Sequence, residues 1–506
     1  MSASEPSAPD LAGRLSGGDV SGHVVRGGAI RIGSMAVTNV LVAIGAIVLL
    51  RYLGVSEFGR YGTVMAIVAI VQGVTDAGLG ITGMREMSLV HGDERRSMLA
   101  HILGLRIVLT TIGVLGAVAF TAVAGYDTQL IEGTALAGVA VFLVSLQGAM
   151  LLPLSVELRN GTIALNEVLR QVLLVGGWVI LVVLGAGLLG FFAVQIVSAA
   201  ILIAITPLLL GRHHLVRPRW QGEQLRALTV VGLPVALAGF IAVIYYRVLT
   251  VMASLLTDEY QTGLFVTASR VFEMAYAVPI LLVTVVLPVM TVAARDDLPR
   301  LRYVTQRMTE AMALAGVGVA LIVAGAAEPI VVLLGREEYR PAAPALQILA
   351  IALVSLFVGA SWSPVLIATG NQKFLAIASS IGLAVVVVLG FVFIPTLESQ
   401  GAAVAFAVAD WVLLGALFFF LRRTGNGGHL DFRFLVRLVP LTGVCCAIAF
   451  VPWSTDVVQT AAAVVVFVAG TLALRLVPGE VLDMVRAAVR RESVTVADAP
   501  PSTDTL

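Results

Sequence analysis

Three charged residues interrupt apolar stretches that otherwise exclude charge. Arg247 follows Tyr245 and Tyr246 deep in one stretch, and Arg270 and Glu273 lie three residues apart in the next. A charge in the middle of a membrane costs at least about 2.5–3.5 kcal/mol on insertion scales, so such residues usually face a cavity or a partner. A guanidinium binds phosphate through two parallel hydrogen bonds. We therefore interpret Arg247, Arg270 and the adjacent Glu273 as a candidate site for an anionic ligand.

A purely structural interpretation of these residues stays open. At a spacing of three, Arg270 and Glu273 can pair along one helix face. Arg247 can then extend its side chain toward the membrane surface.

Four further charges near or within apolar stretches are weaker candidates. Arg106 lies about two turns into its stretch and either binds ligand or reaches the cytoplasmic surface, and Arg31 lies near the start of the first stretch. Asp76 and Asp410 are candidate proton or cation sites, or counter-ions to the arginines.

Composition defines the elements that must position these residues. The 506-residue chain is 59% hydrophobic and only 12% charged, with a mean hydropathy of +0.99. Soluble domains carry about 25% charge, and glycine, present 50 times, is frequent in membrane helices. The composition predicts an all-α polytopic membrane protein.

Several classes of function are disfavoured. Cys445 and Cys446 are the only cysteines and are adjacent, so neither a disulfide framework nor a zinc site is available from them. The sequence has no P-loop, no H-E-x-x-H and no G-x-S-x-G, and no loop is long enough for a soluble catalytic domain. With a net charge of +1, no global field suggests nucleic acid. We predict neither an enzyme nor a cofactor.

Stretches of about 20 apolar residues can each cross the bilayer once. Fourteen are predicted: 29–50, 61–82, 99–124, 132–153, 166–187, 190–210, 227–252, 262–292, 307–326, 343–368, 374–396, 401–421, 434–453 and 457–477. With a cytoplasmic N-terminus, 25 of the 32 basic residues fall on the cytoplasmic side and four in external loops. The positive-inside rule therefore places both termini in the cytoplasm.

The chain repeats itself weakly at an offset of about 204–211 residues. "VSEFGRYGTVMA" (55–66) resembles "DEYQTGLFVTAS" (258–269), and Gly161 and Gly190 have counterparts in Gly370 and Gly401. Parallel repeats of this kind are a transporter design with the substrate site between the halves.

The predicted external hairpin between spans 1 and 2 is "RYLGVSEFGRYG" (51–62), which overlaps the first repeat segment. Its glycines permit a tight turn, and its aromatic residues Tyr52, Phe58 and Tyr61 suit the belt at the membrane interface.

These segments resemble the polysaccharide flippases (Wzx type) of the MOP exporter superfamily. The resemblance rests on "LRYLGVSEFGRYGTVMAIVAIV…DAGL", "DEYQTGLFVTASRVFEMAYAVPILLVTVVLPVM", "EPIVVLLGREEYRPAAPALQILA" and "LIATGNQKFLAIASSIGLAVVVVLGFVFIPTLESQGAAVAFAVADW", in that order over about 28–423. It implies two six-helix lobes related by a pseudo-two-fold axis, two C-terminal helices, and a central cavity with alternating access. It also implies a lipid-linked oligosaccharide as substrate, and glycosyltransferases and a polysaccharide polymerase as partners.

The resulting division of the chain has six parts: a cytoplasmic tail (1–27), an N-lobe with spans 1–6 (28–211), a cytoplasmic loop (212–226), a C-lobe with spans 7–12 (227–423), spans 13 and 14 (433–477), and an amphipathic segment with a disordered tail (478–506). Three alternative functions stay open. They are a drug or organic-cation antiporter of the related MATE branch, a flippase of lipid-linked peptidoglycan precursor, and a membrane-bound polymerase or ligase of polysaccharide assembly.

Overall fold

The computed structural model describes residues 18–157, 159–210, 216, 218–219, 222–425, 432–451 and 454–476. The predicted tail segment 478–506 lies outside this part, as do the first 17 residues and residues 212–215, 217 and 220–221 of the predicted loop 212–226. Within it, the chain is helical and contains no strand.

Fourteen α-helices and one 3-10 helix (Glu337–Ala342) occur in the described residues. In chain order the α-helices are α1 (Gly18–Leu89), α2 (Gly92–Val123), α3 (Thr128–Met150), α4 (Leu152–Val156), α5 (Asn160–Leu184), α6 (Leu188–Leu210), α7 (Gly222–Leu256), α8 (Glu259–Asp296), α9 (Leu298–Gly325), α10 (Ala327–Gly335), α11 (Ala343–Ala368), α12 (Gln372–Arg423), α13 (Phe432–Phe450) and α14 (Asp456–Ala473).

These helices do not correspond one to one with the predicted spans. Ten helices in the described part are long and apolar enough to cross a membrane. The longest, α1 with 72 residues and α12 with 52, each contain two predicted spans and are interrupted by one non-helical residue, Gly54 and Glu398 respectively. The multi-pass helical class is therefore confirmed, while the total of fourteen spans stays a prediction.

Gly54 lies where the predicted hairpin was placed. Its φ of 72° and ψ of 173° fall in a region that is essentially restricted to glycine. The break in α1 therefore requires this glycine.

Gly54→Ala is expected to lower the free energy of unfolding by about 1–3 kcal/mol, because alanine must adopt a strained conformation at this position. Thermal unfolding in detergent would measure the change. The control is Gly33→Ala in the same helix, where an added Cβ meets no atom within 4 Å. Equal stability of the two variants would contradict the prediction.

The chain divides into two compact units. The first comprises the described residues of Met1–Met274, Ile330–Leu349 and Ala376–Leu413, and the second those of Ala275–Pro329, Ala350–Leu375 and Leu414–Leu506.

The first unit buries several polar side chains and exposes large apolar ones. Gln147 on α3 is buried and donates through Nε2 to Asn166 Oδ1 on α5 at 2.8 Å and to Thr206 Oγ1 on α6 at 3.4 Å. By contrast, Leu115 and Val183 are exposed. This pattern suits lipid as the solvent, because buried polar groups must then find partners within the protein.

The second unit contains an apolar core between α9, α13 and α14. Leu314, Val317 and Phe467 are buried in it together with Cys445. Both Cys445 and Cys446 are free thiols, in agreement with their interpretation as small apolar residues.

The aromatic residues of the hairpin segment correct one sequence prediction. Phe58 and Tyr61 are 1% and 2% exposed, and Tyr61 stacks on Phe192 at 5.4 Å between ring centroids. The prediction of an interfacial belt was wrong for these two residues, because they fill the core of the first unit beneath the break at Gly54.

Candidate functional site

Arg247, Arg270 and Glu273 form one cluster within the first unit. Arg247 Nη1 lies 2.6 Å from Glu273 Oε1, and Arg270 Nη1 lies 3.2 Å from Glu273 Oε2. Each carboxylate oxygen therefore takes one guanidinium, and the cluster carries one net positive charge. We call these three residues the arginine cluster.

The arginine cluster lies far from the ends of its helices. Arg247 is nine residues before Leu256, the last residue of α7, and Arg270 is eleven residues after Glu259, the first of α8. At 1.5 Å per residue these distances are about 14 and about 17 Å, so the cluster lies inside the predicted spans 227–252 and 262–292. The side chains of Arg247, Arg270 and Glu273 are nevertheless 32%, 27% and 31% exposed. Accessible charge at this depth fits a polar ligand better than contact with lipid.

The structural alternative is only half correct. Arg270 and Glu273 do pair within α8, but Arg247 turns toward the same carboxylate instead of extending to the membrane surface. The attraction of Glu273 for both guanidiniums explains the difference, because an unpaired charge at this depth is costly.

Glycines bring the second half of α1 against the helices that carry the cluster. A Cβ on Gly62 would lie 2.6 Å from Val266 of α8, and one on Gly73 would lie 2.7 Å from Val243 of α7. Val266 and Val243 each precede a cluster arginine by four residues, which is one helical turn. The cluster is therefore positioned alongside α1, the helix of the first repeat.

Asp410 of α12 is buried and hydrogen-bonded to a tyrosine of α7. It is 4% exposed and accepts a hydrogen bond of 3.1 Å from the hydroxyl of Tyr245. The rings of Tyr246 and Phe406 lie 5.3 and 5.6 Å from that of Tyr245, between centroids. Asp410 thereby links α12 to α7 two residues before Arg247.

Arg106 is buried between α1, α2 and α3. It is 5% exposed and donates from Nη1 to the carbonyl oxygen of Ser145 at 2.7 Å. Its guanidinium fits beside Gly148, where a Cβ would lie 3.0 Å from Nη1. The interpretation in which Arg106 reaches the cytoplasmic surface is therefore wrong, because α3 supplies a backbone acceptor at depth.

Arg31 and Asp76 belong to α1, but their side chains lie outside the part of the chain that the structure describes. They stay candidates from the sequence.

Sequence reasoning missed one buried carboxylate in the second unit. Glu310 of α9 is 6% exposed and accepts hydrogen bonds from Gln306 and Arg307. Its position three residues after Arg307 was the available signal, but Arg307 was counted only toward membrane topology.

A second group of charges lies at the hairpin end of the first unit. Arg60 is within 3.6 Å of Glu57, 3.2 Å of Asp127 and 2.7 Å of Glu259. Its Nη1 also donates to Gln129 Oε1 at 2.5 Å. Arg60, Asp127 and Glu259 border a cavity of about 520 Å³. In the described part of the chain, no histidine, cysteine or acidic residues group closely enough to hold a metal ion.

Solved structures with a similar fold include a flippase and transporters. A structure titled "Lipid II flippase MurJ, inward closed conformation" matches with a TM-score of 0.74 and 12% identity, covering 88% of this chain and 99% of that one. An inward-facing multidrug resistance MATE family transporter of the MOP superfamily matches with a TM-score of 0.64 and 15% identity, covering 78% and 98%. An outward-facing MATE transporter matches at 0.54 and 16%, covering 79% and 94%. The fold defines the class: a multi-pass membrane protein with the architecture of the MOP-superfamily transporters.

Residues 48–344, more than half of the chain, match the family described as "Polysaccharide biosynthesis protein". The chain belongs to that family. No curated protein matches it.

Proposed function

We propose that this protein flips an isoprenoid-pyrophosphate-linked oligosaccharide from the cytoplasmic to the outer leaflet by alternating access, for the assembly of cell-surface polysaccharide. The observation that carries the proposal is the arginine cluster, in which two accessible guanidiniums converge on one carboxylate within the predicted spans. Membership of the polysaccharide biosynthesis family supports the glycan part of the substrate.

The cluster suits a ligand that carries more than one negative charge. Glu273 compensates one of its two arginines, so a net positive charge is present before any substrate binds. A pyrophosphate offers several acceptor oxygens and can replace Glu273 at both guanidiniums, whereas a neutral glycan cannot. Before substrate binds, Glu273 thus holds Arg247 and Arg270 in place and lowers the net charge of the cluster from +2 to +1.

In this proposal the protein resides in the bacterial cytoplasmic membrane with both termini in the cytoplasm. Glycosyltransferases supply the lipid-linked oligosaccharide on the cytoplasmic side, and a polysaccharide polymerase consumes it outside. Membrane lipids surround the apolar outer surface.

Leaflet-resolved analysis of isoprenoid-linked oligosaccharides in cells lacking the protein tests the proposal. Glycolipid is expected to accumulate in the cytoplasmic leaflet and to return to the outer leaflet when the wild-type gene is restored. An unchanged leaflet distribution in the deletion cells would refute the function.

Two alternative cargoes can be distinguished from the oligosaccharide by which molecule accumulates in, or is exported from, the cells. A lipid-linked peptidoglycan precursor is favoured by the structural likeness to a protein titled a lipid II flippase, and its accumulation in place of oligosaccharide would identify it. A drug or organic cation is favoured by the MATE matches, but a net positive cluster opposes it. Drug efflux without any glycolipid phenotype would support that antiporter.

We further propose Asp410 as a coupling carboxylate, with Asp76 as the second candidate. Asp410→Asn is expected to fold normally, because the amide oxygen still accepts from Tyr245, but to lose the stimulation of transport by an imposed proton gradient. Reconstituted vesicles with and without the gradient would measure this. Tyr245→Phe, which keeps the carboxylate, is expected to retain gradient dependence. The same gradient dependence in Asp410→Asn as in the wild type would exclude a coupling role.

A further inference from the structure

The two repeat segments contact each other through their backbones in a reciprocal way. A Cβ on Gly59 of α1 would overlap the carbonyl oxygen of Glu259, and a Cβ on Gly263 of α8 would overlap the carbonyl oxygen of Val55. Residues 55 and 59 correspond to 259 and 263 at the repeat offset of 204. Gly59 therefore contacts Glu259 just as its counterpart Gly263 contacts Val55, the counterpart of Glu259.

This reciprocity is the property of an isologous contact about a two-fold axis. The same offset pairs Gly62 with Val266, and these two residues also contact each other across α1 and α8. The axis relating the two repeats therefore passes through this contact. We call the residues Val55, Gly59, Gly62, Glu259, Gly263 and Val266 the hairpin junction.

One ion pair across the hairpin junction breaks the symmetry. Arg60 of α1 reaches Glu259 of α8 at 2.7 Å, while its counterpart in the second repeat is Leu264, which is buried. Arg60 also contacts Glu57 and Asp127, both from the first repeat. A single arginine thus ties carboxylates of both repeats together.

A second polar link lies beside the first. The hydroxyl of Tyr126, in the turn between α2 and α3, is 2.7 Å from Ser254 Oγ near the end of α7. Both residues border the cavity around Arg60. Glycine-to-carbonyl contact leaves no room for a polar ligand at the hairpin junction itself, so a ligand can pass only when the junction separates.

We propose that the hairpin junction is a gate closing the hairpin side of the transport path, and that Arg60 is its latch. The proposal deepens the proposed function, on which it rests for the identity of the cargo. Because the positive-inside distribution predicts an external hairpin side, the gate controls release to the outer leaflet.

The first test measures opening of the gate in the absence of substrate. Val243→Cys is the reporter, because Val243 faces Gly73 of α1 on the far side of the hairpin junction, and Cys445 and Cys446 are replaced by alanine. We expect Gly59→Ala, whose Cβ would overlap the Glu259 carbonyl oxygen, and Arg60→Gln, which loses a charge-assisted contact, each to accelerate labelling by an impermeant external thiol reagent about tenfold. Gly116→Ala, which meets no atom within 4 Å, is expected to leave the rate unchanged. Equal rates in all four proteins would overturn the gate.

The second test locks the gate in an otherwise unaltered junction. Tyr126→Cys with Ser254→Cys, in the same cysteine-free background, is treated with a short bis-methanethiosulfonate cross-linker. We expect flipping to stop on cross-linking and to return on reduction, whereas continued flipping after complete cross-linking would overturn the proposal. If the junction variants change the labelling rate but the wild-type protein moves no glycolipid, the proposed function is refuted and the gate is still supported.

Discussion

Arg247→Ala and Arg270→Ala are each expected to lower the rate of glycolipid flipping about 10- to 100-fold. Either change leaves one arginine paired with Glu273, so the net positive charge of the arginine cluster disappears. The loss corresponds to about 1.5–3 kcal/mol, the usual contribution of a hydrogen bond to a charged group. The leaflet-resolved assay in complemented cells measures this effect, with protein levels determined in the same membranes.

Two companion variants separate binding from folding. Arg96→Ala removes an exposed arginine of α2 in the same unit and is expected to support normal flipping. Glu273→Gln keeps both arginines and raises the net charge by one, so binding of the pyrophosphate is expected to tighten and release to slow. Normal flipping in Arg247→Ala and in Arg270→Ala would show that the cluster is structural.

Gly401→Ala is expected to destabilise the folded protein strongly, whereas Gly190→Ala is expected to be tolerated. The two glycines correspond to each other in the internal repeat. A Cβ on Gly401 would overlap the carbonyl oxygen of Phe393 and lie 2.9 Å from the nitrogen of Ile394, all within the turn of α12. A Cβ on Gly190 would meet only the flexible side chain of Leu181 at 3.3 Å and the Cβ of Ala186 at 3.4 Å.

The backbone atoms that the added Cβ of Gly401→Ala would overlap cannot move aside by a rotamer change. The substitution is therefore expected to lower the free energy of unfolding by about 3 kcal/mol or more. Thermal unfolding in detergent and the amount of protein in membranes measure the difference between the two variants. Gly415→Ala, also in α12 but next to open space, controls for the effect of alanine in this helix. A Gly401→Ala protein as stable as Gly190→Ala would show that the turn at Glu398 adapts.

Much of the candidate site could be identified without coordinates. Arg247, Arg270 and Glu273 stood out because charge is rare in apolar stretches of this length. The i, i+3 pairing of Arg270 with Glu273 followed from helix geometry. The partner of Arg247 did not follow, because α7 and α8 can rotate about their axes without changing their hydropathy pattern.

Other residues were misjudged for the same reason. Phe58 and Tyr61 have the amphipathic or apolar character of interfacial residues, yet they pack against α6 and other helices of the core. One interpretation took Arg106 to the cytoplasmic surface, but a carbonyl of α3 and the space beside Gly148 accommodate it. Distance along the chain carries no information about such neighbours.

Hydropathy was sufficient to establish a helical membrane protein, since the cost of exposing polar backbone to lipid leaves few other structures for such a composition. The weak repeat was sufficient to suggest two related halves. The reciprocal contact of Gly59 and Gly263, the bridging position of Arg60 and the different crowding of Gly190 and Gly401 came from the tertiary structure alone. The contact of Gly59 with Gly263 and the position of Arg60 depend on atoms brought together from segments about 200 residues apart, and steric fit at that separation has no local signature in the sequence. The crowding of Gly401 depends on the turn within α12, which hydropathy does not reveal.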